Sequence, residues 1–280
     1  MRKLFLLFAL FSTLFLFTNT PAFASYNKNL WTIWEINNPL ATAIIDHSEW
    51  QDFLSTRVIT NDEGINLVDY RNLKDNDIDL LKRYIKRLSE ININLYNRKE
   101  QLAYWINLFN AITVHTVASY YPVSSIEDIN ISPGLFSVGP WGAKLLTINA
   151  IPLSLDDINN RIIRPIWNDS RTHYALNNGS IGAPNLSRTA FTGAQIEQQL
   201  NQAAFGYINS YRGAQVIEGK LIVSKIYEWY SEDFGSEEQN VIDHLKQFAN
   251  PPLLKQLQHI NSIDGYVYNW HLNNTVGQDK

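Results

Sequence analysis

The sequence predicts an α+β fold, a helix-rich single domain with a small antiparallel sheet built from hairpins. Three observations carry the prediction. Apolar residues recur every three or four positions through residues 74–91. A second long stretch, 99–120, is apolar on most sides. Further along, two pairs of short apolar segments are each separated by a two-residue turn. Helices followed by hairpins, without regular β–α alternation, define the class.

The chain opens on a leader. Arg2 and Lys3 precede residues 4–17, apolar except for Ser12 and Thr13, and Ala22-Phe23-Ala24 supplies the small residues that a signal peptidase reads. Residues 1–24 are expected to be a signal peptide, leaving 25–280 as one globular domain in the periplasm or outside the cell. The apolar run falls short of the roughly 20 residues that cross a bilayer. The next most apolar stretch, 102–121, is interrupted by Asn107, Asn110 and His115, so no integral membrane segment is expected after cleavage.

In 74–91, Ile78, Leu81, Ile85, Leu88 and Ile91 form an amphipathic stripe. Asn97 caps the next helix, 99–120, which stops before Pro122. On it Glu100, Tyr104, Asn107, Ala111 and His115 make a polar seam opposite Leu102, Ile106, Phe109 and Thr113. Residues 144–148 and 151–153 read as a hairpin about Asn149-Ala150, although that turn lacks the favoured glycine. Ser154 and Asp157 form a capping box for a helix that ends near Arg164-Pro165.

Residues 172–176 read as a short strand leading into a glycine-bearing loop, 177–184. A helix over 192–208 turns Ile196, Leu200, Ala203, Tyr207 and Ile208 inward. A second hairpin pairs 214–217 with 220–223 about Glu218-Gly219. Ser224 caps a helix carrying Ile226, Trp229 and Tyr230. A helix near 237–248 and a strand around 266–270 close the chain.

Composition removes several classes of function. With no cysteine there are no disulfides, thiolate nucleophiles or zinc-thiolate sites. The 8 Trp, 14 Tyr and 13 Phe supply a core large enough to do without cross-links. The chain carries 27 acidic against 23 basic residues, a balance unsuited to nucleic acid. Lys82, Arg83, Lys86 and Arg87 sit among Asp75, Asp77, Asp79 and Glu90 and read as a solvated face. No histidine pair stands at metal-ligand spacing and no phosphate-binding glycine loop occurs, so no metal and no cofactor is expected.

What remains is central. His173 stands just before the glycine-bearing loop, and such loops can aim backbone N–H groups at an anion or oxyanion. The ligand-binding candidates are Glu100, Asn107 and His115 from the buried helix, with His173, Asn177, Asn178 and Ser180. The catalytic candidates are His173, Ser180 and Asn178. The competing reading is that Asn107, Asn110 and His115 satisfy buried backbone groups while Gly179 and Gly182 serve a turn. Trp229, Tyr230, Asp233 and Phe234 read as core and a helix stop rather than as a sugar platform.

Several segments carry a family resemblance. They are Gln101-Leu102-Ala103-Tyr104-Trp105-Ile106-Asn107-Leu108-Phe109-Asn110-Ala111, Tyr121-Pro122-Val123, Leu153-Ser154-Leu155-Asp156-Asp157-Ile158, His173-Tyr174-Ala175-Leu176-Asn177, residues 187–191, and Ser224-Lys225-Ile226-Tyr227 with Trp229-Tyr230 and Asp233-Phe234. Over about 68–245 the chain resembles the domain of unknown function 547 family. The resemblance implies a bacterial protein, exported or membrane-associated. It also implies a central motif His-x-Ala-Leu-Asn-Cys-(Ala/Gly)-Ser-x-Gly-Cys-Pro, whose two cysteine positions are here Asn178 and Ala183.

Three functions stay open. The first, best suited to a retained loop without its cysteines, is a non-catalytic domain that binds a small molecule or peptide. The second is a hydrolase or transferase using Ser180 with His173 as base, and Asn178 or loop amides at the oxyanion. The third is a structural or partner-binding protein of the envelope.

Overall fold

A computed structural model describes residues 28–135 and 137–275 of the chain. The leader read at 1–24 lies outside the described residues. After an extended segment, α1 (Ser48–Arg57) buries Trp50, Phe53 and Leu54. It runs into a hairpin of β1 (Val58–Thr60) and β2 (Asn66–Val68). Its turn is held by Asn61, whose side-chain oxygen accepts from the amides of Glu63 and Ile65 at 3.1 and 2.8 Å. Sequence periodicity missed both elements, because α1 carries too few apolar positions for a stripe.

The amphipathic stripe becomes α2 (Asp75–Ser89), which buries Leu81, Tyr84 and Leu88. The next helix, α3 (Arg98–Tyr120), starts where its cap predicts: Asn97 Oδ1 accepts from the amides of Lys99 and Glu100, both at 3.1 Å. Nearly every α3 side chain from Glu100 to Val117 is buried, so this helix is the axle of the fold.

The hairpin of β3 (Leu146–Ile148) and β4 (Ile151–Leu153) turns at Asn149 and Ala150, with φ of 50° and 61°. Two left-handed residues make the turn that matches strand twist, even without glycine. The second hairpin, β5 (Ala214–Ile217) with β6 (Lys220–Ser224), repeats this at Glu218 (φ 50°) and Gly219 (φ 79°). The α+β class stands, with the strands divided among three small sheets. The last is mixed: β7 (Gly265–Val267) lies parallel to β6, earlier than the strand expected at 266–270.

Two expectations are corrected here. The helix after Ser154 does not end at Arg164-Pro165. A π-helical stretch, Asp157–Ile163, continues into α4 (Arg164–Trp167). Pro165 is tolerated because other donors reach the carbonyls it leaves: Asn29 and Trp31 donate to Asn160 and Arg161, each at 3.0 Å. Residues 172–176 are not a strand. Asp169 accepts from the amide of Arg171 at 2.9 Å and coils Ser170–Tyr174 into a 3-10 turn.

The remaining helices are α5 (Ile196–Ile208), α6 (Ile226–Trp229), α7 (Glu238–Phe248) and α8 (Pro251–Leu257). Ser224 Oγ accepts from the amide of Ile226 at 3.2 Å, but the cap position of α6 is Lys225 and not the expected Ser224. One apolar cluster surrounds α3, and a second joins α5, β6 and α7. Among the described residues no helix is long and apolar enough to cross a membrane.

The segment 268–275 threads between these parts. Ile181 donates to His271 O at 2.7 Å, Leu272 to Ser124 O at 2.8 Å, Asn273 to Gly179 O at 2.9 Å, and Val68 to Asn273 O at 2.8 Å.

Candidate functional site

The polar seam of α3 anchors backbone. Asn107 donates to Phe191 O at 2.7 Å and accepts from the Phe191 amide at 2.9 Å. Asn110 does the same for the central loop, with Ala175 O and the Asn177 amide at 2.9 and 2.8 Å. Glu100 accepts from the amide of Ile45 at 3.3 Å. His115 lines a separate groove with Lys82, Ile85 and Thr147. The structure therefore does not gather Glu100, Asn107 and His115 with the loop residues.

The loop amides are turned inward as well. Gly179 donates to Asn177 Oδ1, Ile181 to His271 O, Gly182 to Asn269 O and Ala183 to Ser180 O. Gly182 is required by this contact, since a Cβ there would stand 2.7 Å from Asn269 N. Asn177 donates to Pro184 O at 2.7 Å, so its side chain braces the loop from within.

At the two special positions of the loop, Asn178 and Ser180 form a closed ring with Tyr268. Ser180 Oγ lies 2.6 Å from Asn178 Oδ1 and 3.0 Å from Tyr268 Oη, and Asn178 Nδ2 donates to Tyr268 Oη at 2.7 Å. One proton per edge satisfies all three groups. No hydrogen bond among the described residues links Ser180 to a histidine.

His173 is paired elsewhere. Its Nε2 lies 2.7 Å from Asp233 Oδ2. Asp233 also receives Arg164, which is 2% exposed, and Lys28 at 2.8 Å. Burial alone would raise the Asp233 carboxyl, but the bonds from His173, Arg164 and Lys28 hold it well below the ordinary carboxylate range. Burial pushes His173 down, and Asp233 only partly offsets it, so the ring is neutral near pH 7. It then donates Nε2–H to Asp233, and Nδ1 is left as an acceptor. Tyr230 stacks on the imidazole at 4.3 Å and carries the Arg164 guanidinium over its ring at 4.7 Å.

His173 and Asn178 line a cleft of about 80 Å³, and most of its other walls escaped sequence reasoning. Trp141, Trp229, Tyr268 and Trp270 form one aromatic wall. Trp229 and Tyr268 each lie 4.7–5.5 Å from Trp270, and Trp141 lies 6.3 Å from it. Trp229 and Tyr230, read as core, are half-buried on this wall. Asp156 and Asn159, three residues apart at the π-helical stretch, also line the cleft. Such widened turns recur at functional sites.

Two neighbouring carboxylates differ sharply. Asp157 is the cap, accepting from the Ser154 amide and hydroxyl at 2.8 Å and pairing with Lys144 and Arg161. Asp156 has no hydrogen bond or ion pair to its carboxyl among the described residues, and burial, with Asp157 beside it, raises it above the ordinary range. Asn159, 8% exposed, donates to Tyr230 Oη at 3.3 Å while its Oδ1 has no partner. The doubled aspartate after Ser154 was the available sequence signal, since a capping box uses only one. No group of three or more acidic or histidine side chains that could hold a metal occurs among the described residues.

These features define an α+β domain with an aromatic-walled cleft and no thiol. The family described as "Protein of unknown function, DUF547" matches residues 93–208. The motifs at 224–234, which supply Trp229, Tyr230 and Asp233, lie beyond the matched residues. No curated protein and no solved structure matches the chain.

Proposed function

We propose that the protein is an exported bacterial ligand-binding domain, delivered by residues 1–24 to the periplasm or cell exterior, that holds a small molecule or peptide in the aromatic-walled cleft. One observation carries this reading. Asn159, whose Oδ1 is buried without a protein partner, lines the cleft together with Asp156, a half-buried carboxylate with no hydrogen bond or ion pair among the described residues. Buried polar groups are normally paired, and leaving one unpaired costs about 1–3 kcal/mol. A bound ligand removes that cost and gains the apolar area of the wall.

The alternative chemistry has less support. The Ser180 hydroxyl is engaged by Asn178 and Tyr268, and His173 by Asp233, so nucleophile and base are held apart. A partner-binding role draws on Leu40 and Ile44, which are 90% and 75% exposed.

The test is native mass spectrometry on protein purified from the envelope of its own cells. An added mass that leaves on collisional activation, with Ser25 as the first residue, is the expected result. An empty, folded protein would overturn the binding reading, and a retained leader would overturn the export reading.

A further inference from the structure

We propose that the cleft is built for a cationic nitrogen, the ammonium or guanidinium group of a small amine or of a lysine or arginine side chain. This rests on the ligand-binding reading and names the chemical class of the ligand.

The argument begins with charge pairing. Asp233 has Arg164 and Lys28, and Asp157 has Lys144 and Arg161. Asp156 lines the cleft with no ion pair among the described residues, and Lys144, whose charge it feels, is bonded to Asp157 instead. Hydrogen-bonding inventory points the same way. Asn159 Oδ1 is buried and unpartnered, and His173, whose Nε2 is held by Asp233, also lines the cleft. Asp156 and Asn159 thus give this part of the cleft two acceptors that no protein donor reaches. A carboxylate ligand brings only acceptors, and a hydroxyl brings more acceptors than donors. An ammonium brings three donors and a guanidinium five, with no acceptor to satisfy.

The wall and the volume agree with this choice. Trp229, Tyr268 and Trp270 present one continuous set of rings, and the negative faces of such rings, Trp above all, attract cations. A cavity of about 80 Å³ is near half the ~150 Å³ that houses benzene. It admits a head group and a few methylenes, while the rest of the ligand projects to solvent.

The experiment follows tryptophan fluorescence of the whole mature protein during titration. The probes are n-butylammonium, n-butylguanidinium, the capped tripeptide acetyl-Gly-Lys-Gly-amide, n-butanol and N-acetylglucosamine. The cations are expected to bind at least about tenfold tighter than butanol. Asp156→Asn should remove most of that preference, because the carboxyl it replaces makes no internal hydrogen bond and the fold is untouched. Trp229→Leu is a second variant that should weaken the cations without changing the charge. Tighter binding of the tripeptide than of butylammonium identifies a peptide side chain as the source, and equal binding a free amine. Butanol or the sugar binding as well as the cations would overturn the cation assignment and leave the cleft as a binding site. Cation binding that survives Asp156→Asn would overturn it too, by placing the cation elsewhere. No response to any probe, with an empty protein by native mass spectrometry, would remove both readings together.

Discussion

His173 Nε2 reaches Asp233 Oδ2 at 2.7 Å across 60 residues of chain, and the same carboxylate oxygen receives the Nε of Arg164. The 3-10 turn carrying His173 is thereby tied to the turn after α6, with a buried arginine between them. Removing one member of a buried ion pair leaves the other charge uncompensated, at a cost of about 3–5 kcal/mol. Asp233→Asn should lower the unfolding free energy by that amount, read as a lower urea midpoint with an unchanged slope. A loss under about 0.5 kcal/mol would mean that Arg164 finds another counter-ion.

Two other histidines make stability depend on pH. Burial pulls His47 and His244 down to about 4 each, from an ordinary value of 6.5. Their folded pKa lies below the unfolded one, so the unfolded chain binds more protons between these values. Stability is complete above about pH 6.5 and declines as the pH falls toward 4, by on the order of 3 kcal/mol per histidine. Denaturation midpoints from pH 7.5 to 4.5 should show this slope, and His244→Gln should flatten it. A wild-type slope of zero would contradict the burial of both rings.

Asn110 holds both ends of the entry to the central loop, at Ala175 O and the Asn177 amide. Asn110→Ala leaves two buried backbone groups unpaired and should cost about 2–4 kcal/mol. Asn178→Ala opens only a half-buried ring of polar groups and should cost less than half as much. Equal midpoints for the two variants would reverse the roles assigned to these asparagines.

A chain without cysteine makes each introduced thiol its own reporter. Asn178 lines the cleft, whereas Ala183 is 1% exposed. Asn178→Cys should be alkylated by iodoacetamide in the folded protein, and Ala183→Cys only after denaturation, as read by intact mass. Similar rates at both positions would show that the two family cysteine sites share one environment.

Local chemistry made much of the fold legible. Asn149-Ala150 and Glu218-Gly219 turn where two-residue loops between apolar pairs require, and Asn97 starts α3 through its own side chain. Misreadings arose where a local pattern met a competing bond. Thr172 to Leu176 looks like a strand, but Asp169 caps it into a turn, and Pro165 looks like a stop until Trp31 supplies the missing donor. The site was half legible. His173 and Asn178 could be singled out by the loop beside them. Trp141, Asp156, Trp229 and Trp270 come from segments far apart in sequence, and only tertiary packing brings them together. The polar seam of α3 misled for the opposite reason, because its asparagines answer to backbone inside the fold.

The threading of residues 268–275 between β2, the central loop and Ser124 sets an order of events during biosynthesis. Tyr268 and Trp270 complete the cleft, and Asn273 ties Gly179 to Val68, yet all are made after the elements they join. A ribosome must therefore release nearly all of this domain before its centre can lock.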